Sequence, residues 1–233
     1  MISAAPSREQ ETRLKKTLIT LAAATLLVAA APRKTDRFLA VVGNWSDAKD
    51  GGRKVTQVDG RQWIKGQPSA GLAAKARTIY GSRHEEFIDS VKAYAYFPYA
   101  VAGDAGDFRN GEISMSFRLI AGQLDQCAGI LFDLKPNGDY LTVRFNGKED
   151  NLVLWTFNSG KRSFVKRGSE NVHIPLGEWH RMKIAVDGTM LRGYLDDKLL
   201  LEHTLKAPVD GKVGLWSKTD SVSQFADYAV AAK

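Results

Sequence analysis

Five residues near the middle of the chain form its most unusual cluster of polar and aromatic side chains. Arg144 and Asn146 alternate along one apolar-rich segment, Glu149 follows in a tight turn, and Asn151 and Trp155 alternate along the next segment. Because successive side chains of a strand point to opposite faces, a hairpin would bring these residues to one face. A guanidinium, two amides and a carboxylate supply hydrogen bonds that suit sugar hydroxyls, and an indole can stack on a pyranose ring. The spacing therefore predicts a ligand-binding site.

The same cluster also has a purely structural interpretation. Arg144 and Glu149 can form an ion pair, and Asn146 precedes a glycine in a dipeptide that is typical of hairpin turns. In this interpretation, the residues close the hairpin and bind no ligand. The sequence leaves both interpretations open.

Sugar hydrolysis would require a second carboxylate near the first. Glycosidases place two carboxyl groups about 5–5.5 Å apart when they retain configuration and about 6.5–9.5 Å apart when they invert it. Glu112 lies on a segment whose same-face neighbours are Ser114 and Ser116, so no second acid accompanies it. The sequence therefore assigns no catalytic pair. If the protein is an enzyme, we expect a glycoside hydrolase or polysaccharide lyase that uses Glu149 or Glu112, supported by Arg144.

Neither a metal site nor a cofactor is predicted. His84, His173, His180 and His203 have no ligand-like spacing to one another. Cys127, the only cysteine, lies in an apolar run and is predicted to be a small buried side chain. No phosphate-binding loop or nucleophile elbow occurs in the sequence.

The basic excess of the chain is mild. Lys and Arg number 33 against 26 Asp and Glu, which gives a net charge of +7. The basic residues are scattered along the sequence and form no clustered stripe, so nucleic acid is not predicted as a partner.

The N-terminal segment has the order of a secretory signal. Within 14–31, Lys15 and Lys16 precede an uncharged apolar run that ends in small residues. This run is shorter than the ~20 residues that span a bilayer, so we expect cleavage after Ala30 and no stable membrane span afterwards. Residues 1–13 resemble an upstream extension. The alternative is an uncleaved anchor, but either way the protein is predicted to be periplasmic or secreted.

The remainder of the chain is predicted to be a single all-β domain over 31–233. The segment 94–100 contains Pro98 and is predicted to be an edge strand or loop. Helical spacing occurs at 69–80 and 85–94, which predicts a minor helical insertion in the N-terminal third. Period-two alternation and turn residues predict strands at 112–119, 128–134, 140–146, 151–158, 180–186, 190–195, 198–204, 211–216 and 225–230.

Three segments of the C-terminal half carry a family resemblance: Gly-Glu-Trp-His at 177–180, Tyr-Leu-Asp-Asp-Lys at 194–198 and Gly-Leu-Trp at 214–216. Over about residues 105–231, the chain resembles the concanavalin A-like lectin and glucanase superfamily. Within it, the chain is most similar to laminin G-like and 3-keto-disaccharide-hydrolase-like domains of exported bacterial proteins. The resemblance implies a two-sheet antiparallel jelly-roll sandwich. The glucanase string Glu-x-Asp-x-x-Glu of that superfamily is absent from this sequence.

Three functions are consistent with these observations. The first is an exported carbohydrate-binding or cell-envelope protein whose partner is an oligosaccharide or polysaccharide. The second is a sugar-active hydrolase or lyase, and the third is a laminin G-like protein-interaction domain. Fold alone does not choose among them, since this superfamily carries all three activities.

The mature protein is expected to begin at Ala31, because the small-residue stretch ending at Ala30 suits a signal peptidase. Mass spectrometry of the N-terminal peptide of the exported protein measures this directly. A mature chain that keeps residues 14–30 and fractionates with membranes would instead support the anchor.

Overall fold

The computed structural model describes residues 31–62, 71–84, 87, 97–159 and 161–233. The predicted signal segment lies outside the described residues, as does most of the predicted helix at 85–94. None of the described helices has the length or apolar character needed to cross a membrane.

Antiparallel strands make up most of the described chain. The helical elements whose full bounds lie within the described residues are α1 (Leu72–Tyr80) and two 3-10 turns, Gly60–Gln62 and Gly81–Arg83. In chain order, the strands are β1 (Arg33–Lys34), β2 (Phe38–Val42), β3 (Trp45–Asp50), β4 (Arg53–Asp59), β5 (Tyr99–Ala102), β6 (Gly111–Ala121), β7 (Cys127–Leu134), β8 (Tyr140–Asn146), β9 (Asn151–Asn158), β10 (Lys161–Arg167), β11 (Trp179–Asp187), β12 (Met190–Leu195), β13 (Lys198–Thr204), β14 (Lys212–Trp216) and β15 (Val222–Ala232).

These strands form two sheets in the described part of the chain. The eight-stranded sheet has the order β13-β12-β11-β6-β15-β4-β3, and β1 also pairs with β15. The seven-stranded sheet has the order β10-β9-β8-β7-β14-β5-β2. The predicted all-β, two-sheet antiparallel sandwich with a minor helical insertion is confirmed.

The main core lies between the two sheets. In β6, Ile113, Met115 and Phe117 point inward and are at most 1% exposed, whereas Glu112, just before them on the opposite face of the strand, points to solvent. Phe145 of β8 faces the same core from the other sheet. Removal of these apolar side chains from water is the main force that holds the sheets together.

The seven-stranded sheet is also covered on its outer face, which we define as the face turned away from the other sheet. Trp216 and Tyr140 are buried there, and Trp216 Nε1 donates to Tyr140 Oη at 3.1 Å. Phe97 stacks on Trp216 with ring centroids 5.5 Å apart. Tyr80 of α1 donates its hydroxyl to the Leu134 carbonyl at 3.0 Å. The N-terminal third therefore supplies a second apolar layer over the central strands.

Two segments differ from the sequence prediction. The structure places Tyr99 and Ala100 in β5, between β14 and β2, with neither residue exposed. For these two residues the prediction of an edge strand or loop was wrong, because Pro98 lies just before the strand, where it removes no ladder hydrogen bond. Residues 94–96 of the predicted segment lie outside the described residues. Strand β10 was not predicted, although the turn at 158–160 indicated that a hairpin partner could follow β9.

Replacement of Phe97 by Ala should lower the free energy of unfolding by about 3 kcal/mol, because Phe97 is 8% exposed and packs on Trp216. Phe164→Ala is the matched control. That side chain is 58% exposed, so its loss should change stability by no more than about 0.5 kcal/mol. Urea unfolding followed by circular dichroism measures both variants. Equal effects would show that the second apolar layer contributes little.

Candidate functional site

The turn between β8 and β9 is held by the side chain of Asn146. Its Oδ1 accepts hydrogen bonds from the backbone N–H of Lys148 at 3.0 Å and of Gln126 at 3.3 Å. The backbone N–H of Glu149 donates to the Asn146 carbonyl at 3.1 Å, and Asp150 adopts a positive φ of 49°. Asn and Asp residues favour such turns because their side chains bond the backbone locally and tolerate the left-handed region. The turn thereby directs Glu149 toward Arg144.

Arg144 lies on the outer face and is only 1% exposed. Its Nη2 donates to Glu149 Oε2 at 2.7 Å, and its Nη1 donates to Asn151 Oδ1 at 2.5 Å. Asn151 Nδ2 donates to the same Glu149 oxygen at 3.3 Å. Gly129 pairs with Arg144 across the strands, and a Cβ there would lie 2.9 Å from the Arg144 Cβ. A glycine at this position gives the buried arginine the space that it needs.

The Glu149 carboxylate stays ionised because of this arginine. Partial burial raises the pKa of Glu149, but the hydrogen bond from Arg144 and its positive charge outweigh burial, so the pKa is lowered overall. Within the described part of the chain, Oε2 of Glu149 accepts hydrogen bonds from protein groups and Oε1 accepts none. Because the Glu149 side chain is 41% exposed, Oε1 is available to accept a hydrogen bond from a ligand.

A second polar network adjoins the hairpin through Asn146. Its Nδ2 donates to Asp125 Oδ1 at 3.0 Å, and Asp125 also accepts from Lys218 Nζ at 2.8 Å and Thr219 Oγ1 at 2.5 Å. Asp220 holds the Asp125 loop by accepting three backbone N–H groups, including that of Asp125 at 3.0 Å. Three separate loops therefore meet at this end of the outer face.

The half-buried Trp155 and the exposed Phe164 form an aromatic ledge, and we use that name for these two residues. Their ring centroids are 5.7 Å apart in an edge-to-face arrangement. The guanidinium carbon of Arg162 lies 4.3 Å from the centroid of the Trp155 ring, and that of Arg144 lies 5.8 Å from it. Two cations therefore flank the indole. Among the described residues, neither Trp155 Nε1 nor Arg144 Nε has a hydrogen-bond partner, although both atoms are buried.

The structure thus brings together the side chains that the sequence predicted to converge. Arg144, Asn146, Glu149 and Asn151 meet at one end of the outer face, and Trp155 lies beside Arg144. The structure also contains the ion pair and the asparagine turn that the structural interpretation predicted. Three of the residues, Arg144, Asn146 and Asn151, are at most 1% exposed. Only Glu149 and Trp155 of the five reach the surface.

Four further residues of this region were missed by the sequence analysis. Asp125 and Lys218 come from distant loops, and no local pattern connects them with the hairpin. Arg162 and Phe164 lie on β10, and their signal was the turn that follows β9, after which a hairpin partner could begin.

Glu112 cannot act together with Arg144. It lies on the eight-stranded sheet, where Lys183 Nζ donates to its Oε1 at 3.3 Å. Arg144 lies on the outer face of the other sheet, so both sheets and the main core separate the two residues. The hypothesis that pairs Glu112 with Arg144 is therefore wrong.

The buried thiol of Cys127 adds no chemistry to the site. Burial raises the pKa of Cys127 to about 12, so the group is a thiol at neutral pH. Its burial confirms the predicted small core side chain. Within the described ranges, no group of three or more His, Cys, Asp or Glu residues is placed to hold a metal ion.

Comparison with known proteins defines the fold. No protein-family model matches the chain, and no curated protein matches its sequence. Carbohydrate binding module CBM66 from Bacillus subtilis is similar in structure, with a TM-score of 0.57 and 14% identity over 82% of this chain and 92% of that chain. A protein of unknown function with a galectin-like fold from Bacillus subtilis has a TM-score of 0.52 and 12% identity over 84% and 88%. The concanavalin A-like jelly-roll fold is confirmed.

Glu149→Gln should destabilise the protein by about 1–2 kcal/mol at pH 7, because it leaves the buried Arg144 charge without its carboxylate. The exposure of Glu149 reduces this effect below that of a fully buried pair. Since the folded-state pKa of Glu149 is lowered, the stabilisation is complete above the unfolded pKa of about 4.3 and is lost as the pH falls through the folded value.

Urea unfolding of wild type and variant between neutral and acidic pH measures this dependence. The difference in unfolding free energy should shrink as the pH is lowered. Glu202→Gln is the control, because its partner Arg192 is itself 39% exposed and the pair should contribute little. A difference for Glu149→Gln that stays constant with pH would contradict the assigned role of the ion pair.

Proposed function

We propose that this chain is an exported, non-catalytic carbohydrate-binding protein, with residues 31–233 forming one domain and an oligosaccharide or polysaccharide as its ligand. The proposed site is the part of the outer face near the edge strand β10, which the described residues leave uncovered. It consists of the aromatic ledge of Trp155 and Phe164, together with Glu149 and Arg162.

The aromatic ledge is the observation that carries this proposal. Phe164 is 58% exposed, and it is the only aromatic residue among the strongly exposed large hydrophobic side chains of the described chain. It touches Trp155, so the two rings present a continuous apolar surface on an otherwise charged part of the sheet. The apolar face of a sugar ring packs on such surfaces, while its hydroxyls bond to nearby polar groups.

Polar groups around the ledge suit sugar hydroxyls. Glu149 offers its unbonded Oε1 as an acceptor, and the exposed Arg162 offers guanidinium donors next to Trp155. We assign Arg144, Asn146 and Asn151 the role of positioning residues, because their burial keeps them below the surface while they hold Glu149 and the turn.

The shared fold supports a sugar ligand. The similar Bacillus subtilis structure is a carbohydrate-binding module, and its likeness extends over most of both chains. At 14% identity this likeness concerns the fold, so the chemistry of the ledge carries the assignment.

The carboxylates of this region favour binding over hydrolysis. A glycosidase requires one carboxyl group whose pKa is raised, so that it can donate a proton. The pKa of Glu149 is instead lowered, and Asp125 is buried with both oxygens bonded to Asn146, Lys218 and Thr219. These two groups therefore do not form an acid and nucleophile pair.

Trp155→Ala and Phe164→Ala should each weaken polysaccharide binding roughly fivefold, which corresponds to about 1 kcal/mol for loss of one stacked ring. Affinity electrophoresis through gels that contain plant and bacterial envelope polysaccharides, followed by calorimetry on those retained, measures the effect. Tyr194→Ala is the control, because Tyr194 is an aromatic side chain of β12 on the eight-stranded sheet, where Lys183 Nζ lies 4.5 Å from its ring centroid.

Failure of the folded wild type to bind any polysaccharide in a broad panel would contradict the proposed function. Release of reducing ends from a bound polysaccharide would contradict its non-catalytic part. Equal loss of binding in Tyr194→Ala and Phe164→Ala would show that the aromatic ledge is not the binding site.

A further inference from the structure

We propose that the ligand is an anionic glycan, one that carries carboxylate or sulfate groups, and that the edge strand β10 selects it. This inference rests on the proposed function and specifies the substrate class of the same site. The selecting groups are Arg162 and Arg167, which lie on either side of the aromatic ledge.

Strand β10 carries an unusual concentration of positive charge. Its seven residues include Lys161, Arg162, Lys166 and Arg167 and no acid, and all four side chains are exposed. None of these cations forms an ion pair with a described residue, whereas exposed cations nearby do, such as Lys198 with Glu170. An unpaired group of like charges creates a local positive potential that attracts anions.

A β-bulge brings Arg167 to the face of the ledge, which Arg162 already shares by ordinary alternation. Arg162 pairs with Phe157 and Phe164 pairs with Trp155, so strict alternation would turn Arg167 toward the other face. The register shifts between Phe164 and Lys166, however, and Arg167 pairs with Val153. Val153 also pairs with Arg144, which lies on the outer face. Arg167 therefore returns to the face of the ledge.

The resulting pattern is an exposed aromatic surface with a guanidinium on each side along the strand. A sugar ring packed on Phe164 would bring the acidic groups of neighbouring sugars toward Arg162 and Arg167. Arginine suits this task because its planar fork binds carboxylate and sulfate oxygens through two parallel hydrogen bonds. Arg144 cannot contribute, because Glu149 already neutralises it.

Exposed cations on an edge strand also protect against association between sheet edges. That role does not account for Phe164, because an exposed aromatic ring on the same strand favours association. The combination of the ring with cations on its own face is what indicates a charged ligand.

The experiment compares polysaccharides that differ only in charge. Polygalacturonate is paired with its carboxyl-reduced form and dextran sulfate with dextran, within a panel that also includes alginate and hyaluronan. Binding is measured by calorimetry at low and at physiological ionic strength, where the screening length is about 8 Å. The variant is Arg162→Gln with Arg167→Gln. The control is Arg33→Gln with Lys49→Gln, which removes the same charge from exposed positions of the eight-stranded sheet.

We expect at least one acidic polysaccharide to bind about tenfold or more tightly than its neutral counterpart, with affinity that falls as salt increases. The double β10 variant should lose this preference, and the control should keep it within about twofold. Phe164→Ala should weaken binding to both members of a pair.

Each remaining outcome overturns a specific statement. Equal binding of charged and neutral members would overturn the anionic ligand while the proposed function stands, and no binding to any glycan would overturn both. Aggregation of the β10 variant with unchanged binding would assign the cations to edge protection. Duplex DNA is a further test. If it binds with the same affinity as the acidic glycans, and if Phe164→Ala does not change that affinity, the protein attracts polyanions in general and the proposed glycan selection is overturned.

Discussion

The seven-stranded sheet carries large apolar side chains on both faces, and this constraint shapes the rest of the structure. Strand β7 shows it most clearly, because seven of its eight residues, Cys127–Leu134 apart from Asp133, are buried. A sheet of this kind must be covered on both sides. The eight-stranded sheet covers one side, and the N-terminal third covers most of the other through α1, Phe87 and Phe97. The described residues of that third do not cover the end near β10, and the proposed site lies there.

A buried guanidinium is the second organising feature. Arg144 would be costly in an apolar layer without partners, and Glu149 and Asn151 supply them across one tight turn. The same ion pair fixes the position and the ionisation of an exposed carboxylate. The structural and functional interpretations of the cluster are therefore compatible, since the contacts that close the hairpin also present Glu149 at the surface.

Local sequence patterns predicted much of the fold. The bounds of β8, β9, β12 and β13 follow from alternation and turn residues, because these strands pair with sequence neighbours. The convergence of Arg144, Asn146, Glu149 and Asn151 was predictable for the same reason. Strand β5 was harder, since its one aromatic residue, Tyr99, packs against Tyr140, which is distant in sequence.

The remaining features of the site depend on long-range contacts. Asp125 and Lys218 meet because strands far apart in sequence end at the same place, and a single sequence carries no local sign of this. The bulge in β10 was equally hidden, because two residues facing one partner position cannot be recognised from the order Phe164, Val165 and Lys166 alone. The sugar ligand predicted from the sequence and the acidic glycan inferred from the structure both stay predictions.

The bulge gives the backbone of β10 an influence on ligand specificity that composition alone does not reveal. One extra residue decides whether Lys166 or Arg167 shares a face with Phe164. A strand of the same composition without the bulge would present the ammonium of Lys166 beside Phe164 in place of the guanidinium of Arg167, while the charge of each face stayed the same. Homologous proteins with identical β10 composition would then differ in how they bind acidic groups, and an alignment of their sequences would show no difference.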